Sequence, residues 1–230
     1  MSILSIKLLS ALIILIIAVL AGIYPFMKRL KTEKGFDFPI GEALASGVFL
    51  GAGLLHMLAD SASSFSELGC EYPFAFLIAG MMFLFLLWLE HLGRDYYEHQ
   101  GNHGAAFAVL AIIMLSIHSL LEGAALGLSD NLTLLIMIFI AIIAHKWAAS
   151  FSLAVQINKS SFPAKLGILG FLIFAFMSPL GVILGSSLTA SVEHFPLLVP
   201  IFTALAAGTF LYLGTLHGLA RAVMVNKCCN

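Results

Sequence analysis

The chain has 230 residues, 61% of them hydrophobic and 10% charged, with a mean hydropathy of +1.06. Soluble domains carry about 25% charged and roughly 45–50% apolar residues, so this composition excludes a soluble globular domain and requires several membrane crossings. A net charge of −1, without a basic stripe or groove-reading motif, excludes nucleic acid as a partner.

Runs of about 20 apolar residues give helices that cross a ~30 Å hydrocarbon core. Seven such runs stand at roughly 5–27, 40–60, 73–92, 105–128, 132–157, 165–189 and 197–222. They predict an all-α polytopic membrane protein, a bundle of about seven transmembrane helices forming one membrane domain over 1–230. Within it, 105–157 is a central helix pair and 93–104 a short cytoplasmic loop. The first run, Leu8 to Ile23, is long for a signal peptide and its basic residues follow it, which reads as an uncleaved span. In the second, Ala43, Gly47 and Gly51 are spaced four apart, as in helices that approach closely. His56 and Asp60 stand one turn apart near its end. The third ends at Glu90-His91, and the loop after it carries His99 and His103, for which a solvated loop is a plainer reading than a metal site. In the sixth, Pro179 leaves the carbonyl of Ala175 without its usual donor. The seventh contains GTFLYLGTLH, ending at His217.

Three cysteines do not make a disulfide framework. Cys70 lies in a loop, and the terminal Cys228 and Cys229 are either S-acylated beside the membrane or unmodified thiols.

Of the eleven Lys and Arg, nine fall on one side of this arrangement: Lys28, Arg29, Lys31, Lys34, Arg94, Lys159, Lys165, Arg221 and Lys227. Lys7 lies on the other side and Lys146 within a span. Basic residues gather on the cytoplasmic side, which puts the N-terminus outside and the C-terminus in the cytoplasm. The outer face then holds Asp60, Glu67, Glu71, Asp130 and Glu193, a surface that attracts cations.

The fourth and fifth spans, joined at Ser129-Asp130-Asn131, carry ionisable groups where they are costly and mark a site or pathway. Residues four and seven apart share a helix face. His118, Glu122, Ala125 and Ser129 form one such stripe, and His145, Ala149, Ser152 and Gln156 the other. At ~1.5 Å per residue, Glu122 lies about 12 Å from Asp130, His118 about 18 Å and His145 about 22 Å. Ser178 of the sixth span falls at a similar depth, so three helices bring polar groups to one layer. Imidazole with carboxylate suits zinc and other late first-row divalent ions, and the lack of a thiol disfavours copper(I). Lys146 either stands in for a second cation or simply pairs with Glu122. A plain buried ion pair between His118 and Glu122 is the structural alternative. An intramembrane zinc-dependent hydrolase is the enzymatic one, but the spans hold no HxxxH or HExxH pair. A seven-helix receptor has only the helix count in its favour.

The run His118-Ser119-Leu120-Leu121-Glu122-Gly123 resembles the HSxxEG signature in the fourth span of the ZIP (Zrt/Irt-like) family of zinc and iron transporters. His145-Lys146 is similar to the HK opening of the fifth span in the branch that contains the animal plasma-membrane members. Gly47 to Asp60, Ser178-Pro179-Leu180-Gly181 and Ala207 to Tyr212 also resemble the family's second, sixth and seventh spans. The resemblance implies a transporter and not an enzyme, with zinc as transported substrate (cadmium, iron and manganese are further candidates) and no catalytic cofactor. It implies uptake into the cytosol from outside or from an organelle lumen, with the plasma membrane as the leading location, an elevator movement of one helix bundle past another, and lipid bilayer and divalent metal as partners, with a homodimer left open. It places metal on His118, Ser119, Glu122 and His145. His56, Asp60, Lys146, Ser178, Glu90, His91 and His217 become pathway residues. Lys146 and Ala149 stand where some relatives have a carboxylate-rich second metal position, which implies one metal. The family has eight spans with both termini outside, whereas seven are read here, so a shortened, transport-incompetent relative is the alternative.

Overall fold

The computed structural model describes residues 2–29, 39–98, 103–160, 163–188 and 196–215. The fold is all-helical over these residues, and seven helical stretches are long and apolar enough to cross a membrane. The first span is α1 (Ile3–Arg29). The second is continuous through α2 (Pro39–Gly51), a π-helical stretch (Ala52–Met57) and α3 (Leu58–Glu67). Then follow α4 (Phe74–Glu98), α5 (His103–Leu128), α6 (Leu132–Lys159), α7 (Ala164–Ser187) and α8 (Leu198–Tyr212). His99, His217, Glu193, Cys228 and Cys229 lie outside the described residues, as do the side chains of Arg94 and His103.

The second span runs to Glu67, beyond the expected end at residue 60. Its polar run, Ser61 to Ser64, stays helical because one face is held by α8. The Ser61 hydroxyl donates to the Pro200 carbonyl at 2.8 Å, and Phe65 is buried beside it. Hydropathy alone could not extend the span through four residues rich in serine. The π-helical stretch carries His56 and was not expected either; such stretches re-aim side chains by one extra residue and recur at functional sites. α7 continues through Pro179 rather than ending there.

The helices sort by packing into two groups. α5 packs most extensively on α7, and α1 lies across α6 and α7. α8 packs on α4 and on the π-helical stretch and α3. The groups meet where α5 touches α8 and α2 touches α6. Two contacts strap α1 along α6. At one end the buried Lys7 ammonium reaches Asp130 in the α5–α6 turn at 3.2 Å. At the other, Asn158 Nδ2 donates to the Pro25 carbonyl at 2.6 Å. The turn itself is fixed by Asn131, whose side chain accepts from the backbone N–H of Thr133 (2.9 Å) and Leu134 (3.3 Å) and caps α6.

Glycine brings α5 and α7 together. A Cβ at Gly123 or Gly127 would strike the backbone of α7 at Ser178 and Val182, and one at Gly181 or Gly185 would strike α5 at Leu120 and Ala124. Each pair is spaced four apart, so both helices offer a flat strip and their backbones touch, as small residues permit in lipid. The close approach expected at Gly47 and Gly51 is not made. A Cβ at either would meet nothing within 4 Å, and Ala43 and Gly47 are exposed. The spacing was informative, but spacing does not say whether a helix stands opposite. Gly181→Leu is therefore expected to force α5 from α7 and to lower both folded yield and Tm in detergent, whereas Gly47→Leu leaves both near wild type. A fluorescence melt of the two variants checks this.

Candidate metal centre

The α5–α7 contact sets the stage for the buried polar layer. Because Gly123 and Gly181 let the backbones touch, Ser178 of α7 stands directly against Ser119 and Glu122 of α5, its hydroxyl 3.2 Å from the Ser119 carbonyl and 3.1 Å from Glu122 Oε1. The short α5–α6 turn brings α6 to the other side of Glu122. His118, Ser119, Glu122, His145, Lys146 and Ser178 are all at most 3% exposed.

Glu122 divides this layer in two. Its Oε2 faces the histidines, 3.0 Å from His118 Nε2 and 2.9 Å from His145 Nε2. Its Oε1 faces Lys146, whose ammonium donates to it at 2.7 Å, to Ser119 Oγ at 2.8 Å and to Ser178 Oγ at 2.6 Å. An ammonium has three donors, and all three are used. The Phe174 ring centroid lies 4.9 Å from the same nitrogen. A fully buried lysine is costly unless paired and hydrogen-bonded; here one carboxylate and two hydroxyls meet that demand.

On the histidine side the demand is not met. His118 Nε2 and His145 Nδ1 are buried without a hydrogen-bond partner among protein atoms. One donor atom each from His118, Glu122 and His145 lie within 4.8 Å of one another, the one such trio of His, Cys, Asp or Glu among the described residues. Zinc–ligand bonds of about 2.0–2.1 Å place tetrahedral donors roughly 3.3 Å apart, close to the separations around Glu122 Oε2. Two imidazoles, one carboxylate oxygen and room for water make an incomplete coordination sphere, suited to an ion that binds and leaves.

Of the other residues singled out from sequence, His56 and Asp60 are joined, Nδ1 to Oδ2 at 2.8 Å, with both side chains part-exposed. They line one cavity of about 80 Å³ with Glu122 and His145. It also touches Ser64 of α3 and Thr203 and Ala206 of α8. Ser119 and Ser178 stand on the Lys146 side of Glu122. Glu90 is buried and accepts from the Tyr212 hydroxyl of α8, while His91 is exposed. Gln156 Nε2 donates to Ser152 Oγ at 3.3 Å, and both residues are buried along the α6 stripe.

Sequence reading missed the contribution of α8. Phe210 is fully buried, stacks on the His118 ring with centroids 3.8 Å apart and meets the His145 ring edge-on at 4.7 Å. Phe49 of α2 packs behind it at 5.0 Å. Thr209 Oγ1 lies 2.6 Å from His118 Nδ1. The GTFLY run was visible in the sequence, but nothing in it said which histidine it would meet.

Seven apolar spans among the described residues, with a buried trio of side chains that could hold a metal ion, define a multi-pass membrane protein. The family model of the ZIP zinc transporter matches residues 4–110 and 101–229, and the chain belongs to that family, a family of transporters and not of enzymes. It is 29% identical over 233 residues to zinc transporter ZIP2 of Mus musculus, covering 77% of this chain and 74% of that protein. To zinc transporter 11 of Arabidopsis thaliana it is 26% identical over 268 residues, covering 98% of this chain and 78% of that protein. A shorter stretch of 126 residues is 35% identical to zinc transporter ZIP1 of Takifugu rubripes, covering 54% and 40% of the two chains.

Proposed function

We propose that this protein carries zinc across the membrane into the cytosol, binding one ion at a time on His118, Glu122 and His145 between α5 and α6. The observation that carries this reading is the cavity that joins His56 and Asp60 to Glu122 and His145. Asp60 is exposed at the end of the bundle that bears the α5–α6 turn, so an ion from that side meets a carboxylate and an imidazole before it meets the buried trio. Under the charge asymmetry of the loops that side is external, with the N-terminus outside and the C-terminus cytoplasmic; the plasma membrane as the site of action rests on the likeness to the animal plasma-membrane branch of the family.

Lys146 makes the centre a one-metal site. It holds Glu122 Oε1, Ser119 and Ser178, the oxygens that a second cation would use, and supplies the positive charge such a cation would bring. Ser119 thus reaches the metal through water or by exchanging its lysine bond. Movement is of elevator type: α1, α5, α6 and α7 carry the ion past α2–α3, α4 and α8, a division that follows the two packing groups. Glu90, His91 and His217 receive the ion on the cytoplasmic side. The donor set also admits cadmium, iron and manganese, with zinc preferred by two imidazoles.

The test is zinc-65 uptake into proteoliposomes. His118→Ala and His145→Ala are each expected to lower uptake by more than about 10-fold, the lower end of what loss of a mere supporting partner costs. Uptake equal to wild type in both variants overturns the assignment.

A further inference from the structure

Among the groups that the transport reading leaves unused, Thr209 of α8 makes the most determinate contact. Its hydroxyl carries one proton and has two neighbours at 2.6 Å, the Ala206 carbonyl and His118 Nδ1. A carbonyl only accepts, so the proton lies on the Ala206 bond and the hydroxyl oxygen is left to accept from His118. The Ala206 carbonyl also lies 3.3 Å from the same Nδ1, again able only to accept. Both contacts require Nδ1 to carry the imidazole proton. Nε2, which makes no hydrogen bond although Glu122 Oε2 lies 3.0 Å away, is then the nitrogen of the neutral ring that keeps its lone pair. Phe210, stacked on the ring, fixes its plane.

We propose that Thr209 is the positioning residue of the metal centre: it locks His118 in the tautomer and orientation that binds the ion, and only while α8 is docked against α5. This deepens the transport reading above and rests on it. Thr209 belongs to the group that contains α4 and α3, whereas His118 belongs to the group that contains α6 and α7. The bond therefore crosses the boundary along which the two groups slide. Sliding breaks it, frees the His118 ring to turn or change tautomer, and weakens the grip on zinc at the stage where the ion must leave. Affinity is thereby coupled to position without any change in the ligands themselves. Loss of the group that orients a metal-bound histidine costs about 10–100-fold in metal affinity.

The experiment uses the full chain in proteoliposomes and in detergent, with zinc alone as ligand. Thr209→Val, which keeps the shape and removes the hydroxyl, is expected to raise the KM for zinc uptake about 10-fold or more, with kcat per folded protein held or increased. Thr209→Ser is expected to recover most of the loss. A purely structural role predicts instead fewer folded molecules with KM unchanged. That result, or a serine variant no better than valine, overturns the proposal. ¹⁵N-histidine NMR of the wild type gives a second readout, with the His118 signals identified by their absence in His118→Ala. Protonated Nδ1 with bare Nε2 is expected, and the opposite tautomer overturns the proposal even where Thr209→Val does not fold. Direct zinc titration of His118→Ala separates failure of the metal site from failure of the positioning role. Undiminished binding there sinks the transport site itself, whereas lost binding there with an unaltered Thr209→Val sinks only the positioning role.

Discussion

Glu122→Ala is expected to abolish zinc uptake and to destabilise the folded chain at the same time. Both consequences follow from one carboxylate serving two partners. Removing Oε2 takes away the atom that bridges His118 and His145, so zinc retains two imidazoles and no charge to balance it. Removing Oε1 leaves the Lys146 ammonium buried against two serine hydroxyls with no counter-charge. Breaking a buried pair by deleting one partner costs roughly 3–5 kcal/mol, because the remaining charge stays desolvated. Total stability of a domain is of order 5–15 kcal/mol, so a lower Tm and reduced folded yield should be plain. Glu122→Gln separates the two effects, since it keeps the volume and one carbonyl acceptor for Lys146. It should fold better than the alanine variant and still lose uptake by more than about 100-fold, beyond the loss of a supporting partner alone. Uptake in Glu122→Gln at the wild-type rate would contradict the division of labour between the two oxygens.

Lys146→Met carries the second large effect. Methionine keeps most of the lysine stem in place but leaves Glu122 Oε1 without its cation, with only the Ser178 hydroxyl still donating to it at 3.1 Å. The metal-free protein should lose roughly 3–5 kcal/mol by the same reasoning applied to the other partner. Zinc should then restore much of it. A ligand at 100 times its Kd stabilises by about 2.7 kcal/mol, which offsets most of the loss, and it can do so at the vacated position as well as at the histidines. Bound zinc should rise from one per chain toward two, and the gap in Tm between zinc-free and zinc-loaded protein should widen relative to wild type. Metal analysis of the desalted protein together with thermal melts checks this. One zinc per chain and an unchanged melt would show that Lys146 does not stand in for a cation.

The parts of the site that the sequence made legible are those governed by a single helix. His118 and Glu122 one turn apart must share a face, and a three-residue turn to the next span brings His145 to the same depth. Ser178 needed only a count of residues across its span. What could not be read depends on which helix stands opposite which. Gly123, Gly127, Gly181 and Gly185 make the tight helix contact, yet the same spacing at Gly47 and Gly51 meets open space. Thr209 reaches His118 across 91 residues of sequence, and Lys7 reaches Asp130 across 123. Neither pairing leaves a local trace. The π-helical stretch around His56 is similarly silent, since one extra residue per turn alters no composition. The cover over Glu90 is of the same kind: hydropathy places it near the end of a span, and nothing local names Tyr212 of another helix as the residue it meets.

At the centre of the proposed transport cycle is one zinc held by two imidazoles and the Glu122 carboxylate. Zinc K-edge X-ray absorption of the purified full chain, loaded with one equivalent of zinc, measures this directly. Two histidine nitrogens and oxygen donors at about 2.0–2.1 Å, with no sulfur shell near 2.3 Å, are predicted for wild type, and one histidine is predicted to disappear from the shell in His145→Ala. A zinc environment without imidazole, or one that His145→Ala leaves unchanged, would contradict the site.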